Sequence, residues 1–300
     1  MAYQDIISPA APTGALPEVR KIDLADLKTA LAKGLEDFRA MPTHVIFLSL
    51  IYPAVGLLLG RASVQYDLVP LLYPLATGFA LLGPIAAIGL YELSRRREMG
   101  LDTSWKHAFD VFRSPSLPAI AALGLLLVVL FCVWIAVAHG IFTATLGDEP
   151  PATPAQFAQA VLHTPAGHRL IVLGNLAGLL FAVAAFAVSV VSIPLLLDRK
   201  VGFAAAVVTS IKVILANPVT MALWGLIIAG GLVLGSLPLL CGLAIVMPVL
   251  GHASWHLYRR VIVPEIGPRP RYDAPDKDGR RYAAEFPASL FARSRHRGPE

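Results

Sequence analysis

The chain has 300 residues, of which 56% are hydrophobic and only 15% charged, with a formal net charge of +5 at pH 7. Soluble domains carry about 25% charged residues, so this composition excludes an ordinary soluble fold and points to lipid as the solvent. The charges cluster at the chain ends and between long apolar runs, so the positive balance belongs to loops and tails, and no nucleic-acid partner is expected.

Residues 1–18 are rich in Pro and Ala and lack periodicity, which predicts a disordered tail. The first forty residues hold no short apolar core with a small-residue cleavage site, so no cleavable signal peptide is expected and the first membrane helix serves as the targeting signal. The stretch LKTALAKGLEDFRAMP follows, placing Leu24, Leu27, Leu31, Leu35 and Phe38 on one helical face behind Asp23 as N-cap. It is too short and polar to span a bilayer and suits a helix lying in the headgroup layer.

A hydrocarbon core of about 30 Å takes roughly 20 apolar residues in a helix. Six stretches qualify: 43–60, 68–91, 117–138, 170–197, 218–234 and 237–258. The expected fold is therefore all-α, a polytopic transmembrane bundle of six helices occupying residues 19–263. Before the third and fifth spans come two further amphipathic stretches, TSWKHAFDVFRSP with Leu101, Trp105, Ala108, Phe109 and Phe112 aligned, and FAAAVVTSIKVILANP with Phe203, Val207, Ile211, Ile214 and Leu215 aligned. Each of the three ends on a proline, Pro42, Pro115 or Pro218, so the chain reads as three parallel repeats of interfacial amphipathic helix plus transmembrane hairpin.

The returning helix of each hairpin carries an internal proline, Pro84, Pro194 or Pro248, which predicts kinks. Gly56/Gly60, Gly174/Gly178 and Gly231/Gly235 allow close helix approach, and a tight turn is expected at Gly235 and Ser236. Between spans three and four, loop 147–168 contains a short helix-like run, 154–162, and residues 264–300 form a basic tail expected to be disordered and cytoplasmic.

Basic residues stay on the cytoplasmic side during insertion. Twenty-three Lys and Arg lie in the N-terminal arm, the loops after spans two and four, and the C-terminal tail, whereas only Arg61 and Arg169 lie opposite. Both termini are thus expected in the cytoplasm of a bacterial cytoplasmic membrane.

No span has a charged residue at its centre. Glu92 and Asp198, at the cytoplasmic ends of spans two and four, are candidates for a polar or proton relay, or for juxtamembrane ion pairs with Arg95, Arg96, Arg199 or Lys200. His252 and His256 share a helix face at i and i+4, a spacing that suits a metal or haem iron as well as interfacial hydrogen bonding. Cys132 and Cys241 read as apolar packing residues with no metal-ligand spacing. HExxH, GxSxG and GxxxxGK[ST] patterns do not occur, so neither an enzyme nor a bound cofactor is expected.

At GFALLGPIAAIGLYELSRRREMG (78–100), SVVSIPLLLDRKVGF (189–203) and GHASWHLYRR (251–260), and in the entry segment VRKIDLADLKTALAKGLEDF, the chain resembles a bacterial family of integral membrane proteins, domain of unknown function 2189. The resemblance runs from about residue 20 to 260 and implies membrane location and fold without a substrate or reaction. Some relatives carry oxidase-subunit names, which would imply haem or copper ligation.

Three roles follow as expectations. The first is a non-enzymatic scaffold or assembly partner that meets membrane lipids or a second membrane protein. The second is a small-solute permease or channel with a polar path lined by Asn175, Ser189, Ser192 and Thr220. The third is a haem- or metal-binding membrane subunit using His252 and His256.

Overall fold

The computed structural model describes residues 16–41, 54, 56–58, 61, 69–147, 153–238 and 240–264. The first predicted span, 43–60, therefore falls almost wholly outside the described residues, as do most of both tails. Residues 16–264 belong to a single unit of the chain, 1–269. Among the described residues the regular elements are all helices, with one isolated antiparallel bridge, Val19 to Ile262.

Helix α1 (Leu24–Ala40) starts on the predicted cap, with Asp23 accepting from the Asp26 amide and Asp26 returning the bond in a capping box. Its buried stripe is Leu27, Ala30, Gly34, Asp37 and Met41. That face is rotated from the predicted one, since Leu24 is exposed. The steps of 3, 4, 3 and 4 residues form a seam of coiled-coil type.

The seam packs on the last helix, α11 (Leu243–Val261), and α1 therefore does not lie free in the headgroup layer. Gly34 is the closest point: a Cβ there would stand 2.6 Å from the backbone nitrogen of Ala253.

The second predicted span comprises α2 (Leu72–Phe79), a 3-10 turn, α3 (Gly83–Ala86) and α4 (Ile88–Glu98). It breaks where Pro84 predicted a kink. A 3-10 helix, Trp105–Arg113, folds back on α4 and leads into α5 (Leu117–Leu146), which at 30 residues is about 45 Å long. The helix expected in the outer loop is α6 (Pro154–His163).

The fourth span comprises α7 (Pro165–Ser189) and α8 (Ser192–Asp198), separated at Val190 and Val191. Pro194 has no N–H for the Val190 carbonyl, so the regular ladder lapses there. Neighbouring hydroxyls bond backbone groups around the break: Ser210 accepts from the Val191 amide at 3.3 Å, and Ser192 donates to the Val188 and Ala206 carbonyls. Ser210 comes from α9 (Phe203–Ala216), the third amphipathic stretch.

Helix α10 (Pro218–Ser236) and α11 run antiparallel, with Gly231 facing Leu250 and Gly235 facing Val246. Their connection is 237–242, longer than the predicted turn at Gly235 and Ser236, with Leu240 in the left-handed region at φ 66°. Pro248 sits inside the continuous helix α11.

Among the described residues, four helical stretches are long and apolar enough to cross a membrane: Leu72–Glu98, Leu117–Leu146, Pro165–Asp198 and Pro218–Ser236. They correspond to the second to fifth predicted spans. The sixth, α11, is not among them because its C-terminal half carries His252, Ser254, His256, Arg259 and Arg260. The four stretches display apolar side chains outward, including Leu125, Val129 and Val133 on α5 and Leu176, Leu179 and Leu180 on α7. Such a surface is a liability in water and the expected one in lipid.

Because backbone atoms bound the space at Gly34, Gly34→Ala forces α1 away from α11, and we expect a loss of about 1–3 kcal/mol, the range for overpacking. Thermal unfolding of the detergent-solubilised protein should register it as a lower midpoint, with α1 becoming the first site of limited proteolysis.

Candidate functional site

Opposite the lipid-facing helices, the ends of α1, α4, α8 and α11 meet in a core where ionisable side chains are buried. Two of the three arginines in YELSRRRE point inward, although a run of basic residues after a span ordinarily faces water. Glu92 and Arg95 are 0% and 1% exposed and form a bidentate pair, 2.8 Å from Nε to Oε2 and 3.0 Å from Nη2 to Oε1. Of the readings open for Glu92, the structure places the ion pair with Arg95.

Asp37 is the hub. The Ser94 hydroxyl donates to Oδ2 at 2.6 Å, His256 Nε2 lies 2.9 Å from the same oxygen, and Arg97 donates to Oδ1. His252 Nδ1 lies 2.7 Å from Ser94 Oγ. Since a carboxylate only accepts, the single Ser94 proton points at Asp37, and Nδ1 of His252 must carry the proton that completes the second bond. The chain of bonds thus runs from His252 through Ser94 and Asp37 to His256, joining α11, α4 and α1.

Burial alone would raise the Asp37 carboxyl, but hydrogen bonds from His256 and Ser94 outweigh it and hold the group below its ordinary value. Sequence reasoning missed Asp37, Ser94 and Arg97, and the one available signal was the placement of Asp37 a heptad step beyond Ala30 on the α1 seam.

Two neighbouring clusters extend the layer. Asp198 accepts from the Tyr258 hydroxyl at 2.6 Å and from Arg259 at 3.1 Å, while Glu98 accepts from Trp255 and Arg259, each at 3.1 Å. Arg96 donates to the Asp102 carbonyl and to Asp110, and His107 bridges the carboxylates of Asp102 and Asp110.

His252 and His256 do come together, as their spacing predicted, but the two nitrogens that converge do so on the Ser94–Asp37 pair. Those two nitrogens are committed to a hydroxyl and a carboxylate, whereas the other nitrogen of His252, Nε2, is buried without a hydrogen-bond partner. Among the described residues no group of three or more His, Cys, Asp and Glu side chains is arranged to hold a metal ion.

The residues proposed for a polar path are dispersed. Asn175 accepts from Tyr73 at 2.8 Å beside a cavity of about 240 Å³ between α2, α5 and α7. Ser189 and Ser192 donate to helix carbonyls. Thr220, with Asn217, clasps the incoming segment at the Ile22 and Arg20 backbone.

Glu92→Ala removes a bidentate acceptor from a fully buried arginine, and we expect a cost of about 3–5 kcal/mol. Asp37→Asn should cost less, because the Arg97 side chain is 40% exposed and keeps water. Its signature is pH dependence. A carboxyl with a depressed folded value stabilises the fold fully above its unfolded value, here 3.8, and progressively less as pH falls through and below it. The difference in melting midpoint between wild type and Asp37→Asn should therefore hold steady from pH 6 to 5 and shrink below about pH 4.

No curated protein and no solved structure shows a match to the chain. A family model does match, over residues 72–198, a narrower stretch than the 20–260 that carries the resemblance. It covers α2 through α8, including Glu92, Arg95, Asp110 and Asp198, and leaves Asp37, His252 and His256 outside. The model is described as a predicted integral membrane protein (DUF2189); residues 72–198 of the chain are similar to it, and three apolar helical stretches long enough to cross a membrane, Leu72–Glu98, Leu117–Leu146 and Pro165–Asp198, lie in that segment.

Proposed function

We propose that the protein is a non-enzymatic scaffold of the bacterial cytoplasmic membrane, which holds a folded charged layer at the cytoplasmic face for lipid or a second membrane protein to dock on. The observation that carries this reading is the fate of the ionisable groups: Asp37, Glu98, Asp110 and Asp198 each accept from a side chain of a neighbouring helix, while Glu92 pairs with Arg95 on its own helix. Of the first four, Asp37, Asp110 and Asp198 are buried, and buried groups committed across elements fix helices relative to one another. The proposed topology keeps six spans, three parallel repeats and cytoplasmic termini. It is supported by α11 running back along α10 and by prolines in all three returning helices.

The alternative, a small-solute permease, draws on the cavity beside Asn175 and Tyr73.

Purification of the tagged protein from its own host in native nanodiscs, with mass spectrometry of what accompanies it, tests the role. A stoichiometric membrane protein or retained lipid is expected. A clean preparation, together with solute flux into proteoliposomes that falls on Asn175→Leu, would replace the scaffold with the permease. Topology is checked separately: a periplasm-active reporter fused after residue 147 should be active and one fused after residue 264 silent.

A further inference from the structure

The three amphipathic stretches do not share one fate. Helix α1 spends its seam on α11, whereas the 3-10 helix Trp105–Arg113 turns its aromatic side outward. Trp105, Phe109 and Phe112 are 38%, 49% and 70% exposed, and the first two meet edge-to-face with ring centroids 6.2 Å apart. Three aromatic rings facing water would carry a large unfavourable apolar area.

Nor is the helix free to roll them inward. Ala108 and Val111 are buried against α4, Arg96 holds the Asp102 carbonyl and the Asp110 carboxylate, and His107 ties Asp110 to Asp102 at 2.5 and 3.1 Å. The charged groups beside the rings are Lys106 and Arg113, both exposed, with Asp110 at 3.6 Å from Arg113. Of the acids of this segment Asp110 is largely covered and Asp102 is exposed, so two exposed cations, Lys106 and Arg113, face outward against one exposed carboxylate. Four residues beyond Arg113, Leu117 opens the apolar helix α5, which fixes the aromatic face at the level where that helix enters the bilayer.

We infer that the outward face of Trp105, Phe109 and Phe112 is an anchor seated in the headgroup layer of an anionic membrane, with Lys106 and Arg113 contacting lipid phosphates. Rings of this kind settle about 5–10 Å into the headgroup and acyl boundary, and basic side chains beside them select anionic lipid. The inference rests on the membrane reading of α5 and is independent of the scaffold role. It identifies the partner of this one surface as lipid.

The test uses the full chain, with the exposed Cys132 and Cys241 replaced by Ala, in nanodiscs of phosphatidylcholine alone or mixed with phosphatidylglycerol. Spin labels go on Phe112→Cys, on Val129→Cys as a lipid reference in α5, and on Lys33→Cys as an exposed reference on α1. Oxygen and a water-soluble nickel chelate report their accessibility. The label at 112 should read between the two references, shielded from nickel severalfold relative to position 33, and more shielded in the anionic discs. Lys106→Gln with Arg113→Gln should abolish that difference between disc types.

Nickel access at 112 equal to that at 33 overturns the anchor, and equal access in both disc types overturns the anionic assignment. An immobilised label closed to both reagents means that protein covers the face, which also overturns it. If position 129 reads as water, the membrane reading fails and not the anchor alone. Should the double Gln variant unfold, the comparison of the two disc types on the wild-type background decides.

Discussion

A carboxylate taken out of water must be met by donors, and on Asp37 that requirement organises three helices at once. Its partners come from α4 and α11, and they reach it because Gly34, one turn earlier, lets the α1 backbone come against Ala253. With a side chain at 34 the helices would separate, and donors positioned to within a few tenths of an ångström would lose their acceptor. The small residue and the buried charge are therefore one device. Electrostatics demands the partners, and the missing Cβ supplies the distance.

From that junction α11 continues as a polar spine. Within two turns it offers His252 and His256 to the Asp37 system, Trp255 and Arg259 to Glu98, and Tyr258 and Arg259 to Asp198. The other end of the molecule follows different rules. Along α5 and α7 the outward residues are Leu and Val, and backbone groups around the interruption at Val190 and Val191 are bonded by the hydroxyls of Ser192 and Ser210 without any charge. The chain is apolar where it meets lipid tails and heavily cross-linked by polar contacts where its spans end.

Much of this division was legible in the residues. Length and composition locate spans two to five, with ends up to about eight residues off, Asp23 marks the start of α1, the prolines mark the interruptions at 84 and 194, and Glu92 finds the arginine three residues on. What escaped is the identity of the interior at the charged end. Hydrophobic periodicity counts Gly34 and Asp37 as polar interruptions, so it selected Leu24 and Leu35 for the packed face of α1 instead. The basic cluster after span two reads as a solvated signal of orientation, yet Arg95 and Arg96 lie inside. In both cases the deciding partner sits far away in sequence: Asp37 and His256 are 219 positions apart. Local pattern carries no information about an acceptor that remote. Asn217 and Thr220 illustrate the same limit, since nothing near them announces that they will hold residues 20–22.

That separation has a consequence for how the protein is made. Helix α1 is synthesised well before its partner helix α11. At about 5–20 residues per second, the 219 positions between Asp37 and His256 correspond to roughly 10–45 seconds during which α1 presents a bare seam with an uncompensated carboxylate on it. Throughout that interval the nascent chain carries a binding face for anything that recognises amphipathic helices. A chain terminated before residue 243 would keep that face uncovered, because the helix that covers it would be missing.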